Sequence, residues 1–231
     1  MIHPQSGPRL ALFDIDGTLL KEPSSEKRFM LWLFFKGRIG PARLLAYALF
    51  SLRYLPRYGL DVFAKNKSLL WRRSVRSAES LAREWAAQGL GKALNRSCLE
   101  RLRDHHERGD LVVLLSGTPD FLADAIAERL GVGHAVGTRC AVRGGRYSFA
   151  PPSVHRVGGA KLASAQALCA RFRTSLEYTA AYGNSLSDLP LLEACGAAVA
   201  VNPEPALAAT AGEKGWEIIG SRTGRRVRAS A

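Results

Sequence analysis

The chain has 231 residues, of which 47% are hydrophobic and 23% charged, with a formal net charge of +13. That length accommodates one core domain with an insertion, or two small domains, and the composition excludes disorder over any long stretch. The charge is localised. Residues 21–88 hold 14 Lys or Arg against 5 Asp or Glu, the segment from Ser221 onward holds four arginines and no acid, and the remainder balances at 15 of each sign. Such a field favours anionic partners: phosphorylated substrates, acidic membranes or nucleic acid. No zinc-ligand spacing or aromatic-interleaved basic sheet marks a nucleic-acid binder. Cys98, Cys140, Cys169 and Cys195 are widely separated and form no metal-type pair, which predicts a reducing compartment. The first residues lack the charged region, apolar stretch and cleavage site of a signal peptide, so none is predicted.

In chain order, residues 9–15 read as a buried strand that ends at Asp-Gly, and residues 110–115 as a second such strand, ending at Ser-Gly-Thr-Pro. Residues 119–130 have helical periodicity and stop at Gly131. Residues 134–149 contain two short β-like runs around Arg143-Gly144-Gly145-Arg146, a hairpin signal. A helix over 161–173, a strand over 178–182, a helix over 187–195 ended by Gly196, a strand over 197–201, a short helix over 206–211 and a last strand over 216–219 complete the pattern. Strands alternating with helices predict an α/β fold: a Rossmann-like parallel sheet with right-handed crossovers, covered on both faces. In such sheets the site lies at the carboxyl ends of the strands. Three strands here end in polar, glycine-containing turns, at 14–18, 116–118 and 183–188.

About ninety residues separate the first two strands, too many for a crossover. They are largely helical, with breaks at Gly37, Gly40-Pro41, Pro56 and Gly59. The predicted organisation is a catalytic core of residues 1–20 plus 92–221, an inserted helical cap over 21–91, and a basic, disordered tail over 222–231.

Asp14-Ile15-Asp16-Gly17-Thr18-Leu19 puts two carboxylates two residues apart at a strand end. Phosphoryl transfer needs a nucleophile in line with the leaving oxygen, a proton donor for that oxygen, and charge neutralisation. Asp14 can attack phosphorus. Asp16 can protonate the leaving group and then deprotonate the water that cleaves the acyl phosphate. Gly17 lets the backbone approach the phosphate. The ordinary alternative is a strand ending in a turn with a capping aspartate.

This first motif resembles that of the haloacid dehalogenase superfamily, and three further segments resemble its other motifs in order. Ser116-Gly117-Thr118 resembles the second, whose hydroxyl and N–H hold the phosphate at Ser116 and Gly117. Lys161, after Gly158-Gly159-Ala160, resembles the lysine of the third. Gly183-Asn184-Ser185-Leu186-Ser187-Asp188 resembles the fourth, an acidic metal-binding loop. Taken singly, Ser116-Gly117 could be a turn, Lys161 a solvated helix residue and Asp188 a helix cap. The resemblance implies a Mg²⁺-dependent phosphatase with Asp14, the Asp16 carbonyl, Asn184 and Asp188 as metal ligands. It departs from the pattern at Asn184, where Gly-Asp is usual. A neutral amide oxygen there should weaken Mg²⁺ binding without abolishing it. Asp16 is typical of the superfamily's phosphatases, and the dehalogenase type lacks it.

A helical cap between the first two motifs resembles the subgroup containing phosphoserine phosphatase and phosphatidylglycerophosphate phosphatase-type enzymes. That implies a cytoplasmic enzyme acting on a small phosphorylated metabolite, phosphoserine-like, or on a phospholipid-type phosphomonoester. The runs FMLWLFF (29–35) and LLAYALFSL (44–52) are too short to span a bilayer. They form either the cap's own core with arginines snorkelling outward, or an interfacial pair contacting the anionic inner face of the membrane. The alternative function is a catalytically weak binding or regulatory protein on the same fold at a membrane surface. His105-His106 read as a solvated helix end, and His155 as a loop residue before Lys161.

Overall fold

The computed structural model describes residues 8–220; the predicted basic tail and the residues bearing on a signal peptide lie outside them. Six parallel strands form the main sheet: β1 (Leu10–Phe13), β2 (Leu111–Pro119), β3 (His134–Thr138), and, after the short β4 (Val142–Arg143) and β5 (Arg146–Tyr147) hairpin, β6 (Thr179–Gly183), β7 (Ala197–Val201) and β8 (Glu217–Ile219). The order is β3-β2-β1-β6-β7-β8. β1 pairs with β2 on one side and β6 on the other, so the direction of winding reverses at β1, where α/β sheets open a crevice for ligands.

Both faces of the sheet are covered, as the continuous apolar strands require. Successive residues of a strand point to opposite faces. Ala11 and Phe13 of β1 join one buried cluster, with Val112 and Leu114 of β2, while Leu10 and Leu12 join the other, with Val113 and Leu115. The first face is covered by α5 (Arg96–Glu107) and α6 (Asp120–Leu130), with α4 (Val75–Gly89) packed outside α6; the second by α7 (Gly159–Phe172), α8 (Leu189–Ala194) and α9 (Pro205–Glu213).

The stretch between β1 and β2 is helical as expected: α1 (Ser25–Phe35), α2 (Pro41–Tyr58), the short α3 (Val62–Lys65), then α4 and α5. α4 turns Ala78, Leu81, Ala82, Trp85 and Ala86 inward and packs against α6, while Phe29 and Leu33 of α1 reach the same cluster. All four cysteines are free thiols.

Of the histidine pair, only His106 is solvated. His105 is buried, its Nδ1 2.6 Å from Asp110 Oδ2 and its Nε2 2.9 Å from the Tyr182 hydroxyl. The Tyr182 ring stacks on Phe13 at 4.1 Å between centroids. This polar chain ties α5 to the two strands that flank the site; the charged sequence around His105 reads as a solvated face and gave no sign of the inward turn. Tyr182→Phe strips His105 Nε2 of its partner and should lower stability by about 1–3 kcal/mol, the cost of an unpaired buried polar group, read as a shift of the urea midpoint at unchanged slope.

Candidate active site

The site is built on strand ends. Asp14 follows β1 directly; its N–H donates to the Tyr182 carbonyl (3.0 Å), which extends the ladder by one residue and fixes where the side chain leaves the sheet. Its carboxylate is buried. Lys161 Nζ, from the first turn of α7, donates to Asp14 Oδ1 at 2.6 Å, and Thr18 Oγ1 donates to Asp14 Oδ2 at 3.3 Å. The same ammonium donates to Asp188 Oδ1 at 2.5 Å. Burial pushes the Asp14 carboxyl above its ordinary value; Lys161 opposes the rise, and the neighbouring charges of Asp188 and Asp16 add to it. Burial alone would lower the lysine, but the charges of Asp14 and Asp188, with a hydrogen bond to each, reverse that and hold it protonated.

Asp16 points the other way. Its Oδ1 accepts from the Ser25 N–H at 2.6 Å and its Oδ2 from Thr118 Oγ1 at 2.9 Å. Ser25 opens α1, so the carboxylate takes up one of the free N–H groups of that helix's first turn. Ser116 Oγ donates to Thr118 Oγ1 (3.2 Å), and Ser25 Oγ lies 3.0 Å from that hydroxyl. Ser116 and Gly117 thus lie at the end of β2 beside Asp16. A Cβ on Gly117 would stand 3.2 Å from Val157, where the loop before α7 passes.

Asp188 is an anchor within its own loop. Besides Lys161, it accepts on Oδ2 from the Asn184 N–H (3.1 Å), the Ser185 N–H (3.2 Å) and Ser185 Oγ (3.2 Å). These bonds hold the turn after β6 closed and aim Asn184 at Gly17. Asn184 Oδ1 lies 3.5 Å from the Thr18 hydroxyl that also reaches Asp14 Oδ2, so the amide and the carboxylate oxygens face one locus. Oxygen donors of this kind suit Mg²⁺. Two carboxylates share the one lysine, which leaves negative charge that a divalent cation would offset. The donor set fits the ion, although it holds fewer carboxylates than a dedicated metal cluster: among the described residues no three His, Cys, Asp or Glu side chains form one.

All eight residues singled out in the sequence (Asp14, Asp16, Gly17, Ser116, Gly117, Lys161, Asn184 and Asp188) therefore gather at the carboxyl ends of β1, β2 and β6 with the start of α7. The hydroxyls of Thr18 and Thr118 and the N–H of Ser25 were missed. Both threonines were visible inside the motifs, and Ser24-Ser25 ahead of an apolar run is a helix-start signal; what was not visible is that they converge on Asp14 and Asp16. His155 adds a contact between inserted helices and core, its Nδ1 3.1 Å from Lys65 Nζ. Burial, with the charges of Lys65 and Lys67, lowers this histidine to about 4, so it stays neutral and can accept from the lysine.

A family model of haloacid dehalogenase-like hydrolases matches residues 11–193. The chain belongs to this family. It is an enzyme of the haloacid dehalogenase-like hydrolases whose relatives carry phosphatase names. It is 31% identical over 222 residues to phosphoserine phosphatase SerB1 of Mycobacterium tuberculosis, covering 94% of this chain and 72% of that one. It is 30% identical over 219 residues to a histidinol-phosphatase of Neisseria meningitidis, covering 91% and 97%. A solved protein of unknown function from Bordetella pertussis Tohama I superposes with a TM-score of 0.78 at 27% identity, covering 93% of this chain and 99% of that one. A phosphoserine phosphatase solved as a phospho-aspartyl intermediate analogue shares the fold, with a TM-score of 0.59 at 19% identity, covering 92% and 93%.

Gly17 has φ +81°, and a Cβ there would fall 2.0 Å from the Asn184 amide nitrogen. Gly17→Ala should drive Asn184 away from the Thr18 hydroxyl and lower hydrolysis of an aryl phosphate by about 100-fold, the scale of loss for a misplacement near 1 Å, with a circular dichroism spectrum like that of wild type.

Proposed function

We propose that the enzyme is a Mg²⁺-dependent phosphomonoester hydrolase that works through an aspartyl-phosphate on Asp14, and that its substrate is a small phosphorylated metabolite. The observation that carries this reading is the division between the two carboxylates. Asp14 is buried against an ammonium group, while Asp16, two residues on, is held apart by Thr118 and the start of α1. One is arranged as a nucleophile and the other as a proton carrier. The relatives' names, phosphoserine phosphatase and histidinol-phosphatase, agree in substrate class: a phosphate ester of an amino-acid-sized molecule.

In this mechanism an Asp14 oxygen attacks phosphorus while Lys161 holds Oδ1 and offsets the charge that gathers on the phosphoryl group. Asp16 delivers its proton to the departing ester oxygen, then takes a proton from water. That water attacks the phosphorus of the acyl phosphate; the P–O bond to Asp14 breaks, and inorganic phosphate leaves. Ser116 and the Gly117 N–H hold the phosphate oxygens; the Gly17 N–H is given to the Leu20 carbonyl (2.7 Å), so Gly17 serves only by leaving the backbone open to the phosphate. Asp14, the Asp16 carbonyl and Asn184 would hold Mg²⁺, while Asp188, expected from the resemblance as a further ligand, has both oxygens engaged by Lys161 and its own turn and orients Lys161. When bound, the ion neutralises phosphate charge and orients the ester for in-line attack. The reading places the enzyme in the cytoplasm.

A second reading of the substrate, a lipid phosphomonoester met at an anionic membrane surface, is favoured by the exposed leucines and phenylalanines of α1 and α2. A panel of soluble and vesicle-presented phosphomonoesters separates the two.

Asp14→Asn should abolish turnover of an aryl phosphate at saturating Mg²⁺, and Asp16→Asn should lower it by about 10²–10⁴-fold, the span of general acid–base catalysis. Wild type no faster than Asp14→Asn would leave a binding protein on this fold. Asn184→Asp restores a charged donor and should lower the Mg²⁺ concentration for half-maximal activity, read by metal titration.

A further inference from the structure

The solvent face of α2 is more apolar than its packed face. Toward the protein it turns Ala46 and Phe50, with Arg43, Tyr47, Ser51 and Tyr54 half-buried beside them. Toward solvent it presents Leu44, Leu45, Leu49, Leu52 and Leu55, from 44% to 74% exposed. Their spacing of three and four residues makes one stripe along the helix. α1 adds Leu31, Phe34 and Phe35, the last 77% exposed. A helix on the surface of a water-soluble protein has the opposite polarity, with its apolar stripe inward, and clustered exposed apolar side chains mark contact with a protein or a membrane.

The charges around the stripe indicate which. Residues 29–60 contain Lys36, Arg38, Arg43, Arg53 and Arg57 and no Asp or Glu. All but Arg43 are exposed. Arg53 and Arg57 lie over the Tyr54 and Tyr58 rings, 5.7 and 5.4 Å from their centroids, which keeps the guanidinium groups at the border of the leucines. A second copy of the chain would bring cations against cations with no carboxylate between them, so this face repels itself. An anionic lipid surface answers both features: its phosphates meet the basic rim and its acyl chains receive the apolar stripe. No helix among the described residues is long and apolar enough to cross a membrane, so the pair would lie on the surface.

We propose that the solvent face of α1 and α2 docks on an anionic phospholipid bilayer. α1 then links the bilayer to the chemistry. Its first N–H holds Asp16, and its last turn carries Phe34 and Phe35; eleven residues at the helical rise separate the two ends by about 15 Å. The cleft stands near the membrane without entering it. The docking does not depend on which phosphate ester is hydrolysed.

Co-sedimentation of the whole chain with vesicles of phosphatidylcholine mixed with phosphatidylglycerol, and with vesicles of phosphatidylcholine alone, tests this. Retention is expected on the anionic vesicles, weaker retention on the neutral ones, and a decline with added salt. Leu45→Ser, Leu49→Ser and Leu52→Ser combined should lower partitioning by about tenfold or more. Arg53→Gln and Arg57→Gln should each lower it about fivefold, the equivalent of about 1 kcal/mol per basic residue. These side chains lie outside the catalytic cleft, so hydrolysis of a soluble aryl phosphate should persist in every variant. No retention of wild type on either kind of vesicle overturns the proposal. So does self-association in sedimentation velocity that the leucine variant abolishes, which would assign the face to a second copy.

Discussion

One ammonium group shared by two buried carboxylates is the constraint on which the rest of the site depends. Lys161 reaches Asp14 and Asp188 at 2.6 and 2.5 Å, and all three side chains are buried. A buried ion pair adds little net stability, because desolvation consumes most of the Coulomb gain, yet breaking one costs about 3–5 kcal/mol. The arrangement therefore acts mainly on geometry. Asp14 leaves β1, Lys161 leaves α7 and Asp188 belongs to the turn after β6; the shared cation sets all three in one register. One positive charge answers two negative ones, so the cluster stays short of cations.

The sheet supplies the platform. Winding reverses at β1, so the loops after β1 and β2 diverge from the loop after β6 and leave a crevice between them. Close approach is enforced by what is missing: Gly17 has no side chain where Asn184 sits, and a Cβ on Gly183 would lie 2.6 Å from the Cβ of Asp188. Asn184, Thr18 and Asp14 can crowd into one small volume only because these positions are glycine.

α1 joins two environments. At its start, the Ser25 N–H and the Thr118 hydroxyl hold Asp16; at its end, aromatic side chains stand in solvent beside basic residues. The inserted segment is thus not a simple globular cap with its apolar residues inside. Phe29 and Leu33 join the core of the sheet and Ala46 and Phe50 are buried on the packed side of α2, but the leucine stripe of α2 lies outside. Of the two arrangements open to these helices, the observed one combines a small interior with an apolar, basic exterior.

Much of this was legible in the chain. The apolar runs of β1, β2, β6 and β7 announce buried parallel strands because both faces of such strands are covered, and their polar, glycine-containing ends announce the site. Asp14, Asp16, Ser116, Lys161 and Asn184 could be named because each sits at a fixed offset from one of those ends, and local spacing survives folding. Partners were not legible. That Thr118 belongs to Asp16, 102 residues away, or that Asp188 reaches Lys161, follows from how strands are ordered in the sheet, which no local pattern encodes, whereas the bonds of Asp188 within its own turn are the local capping box that Ser185-x-x-Asp188 spells. His105 and the outward leucines of α2 make the same point. A residue's type and period say which helix face is apolar, but the neighbours that the fold brings alongside decide whether that face meets the interior or the solvent.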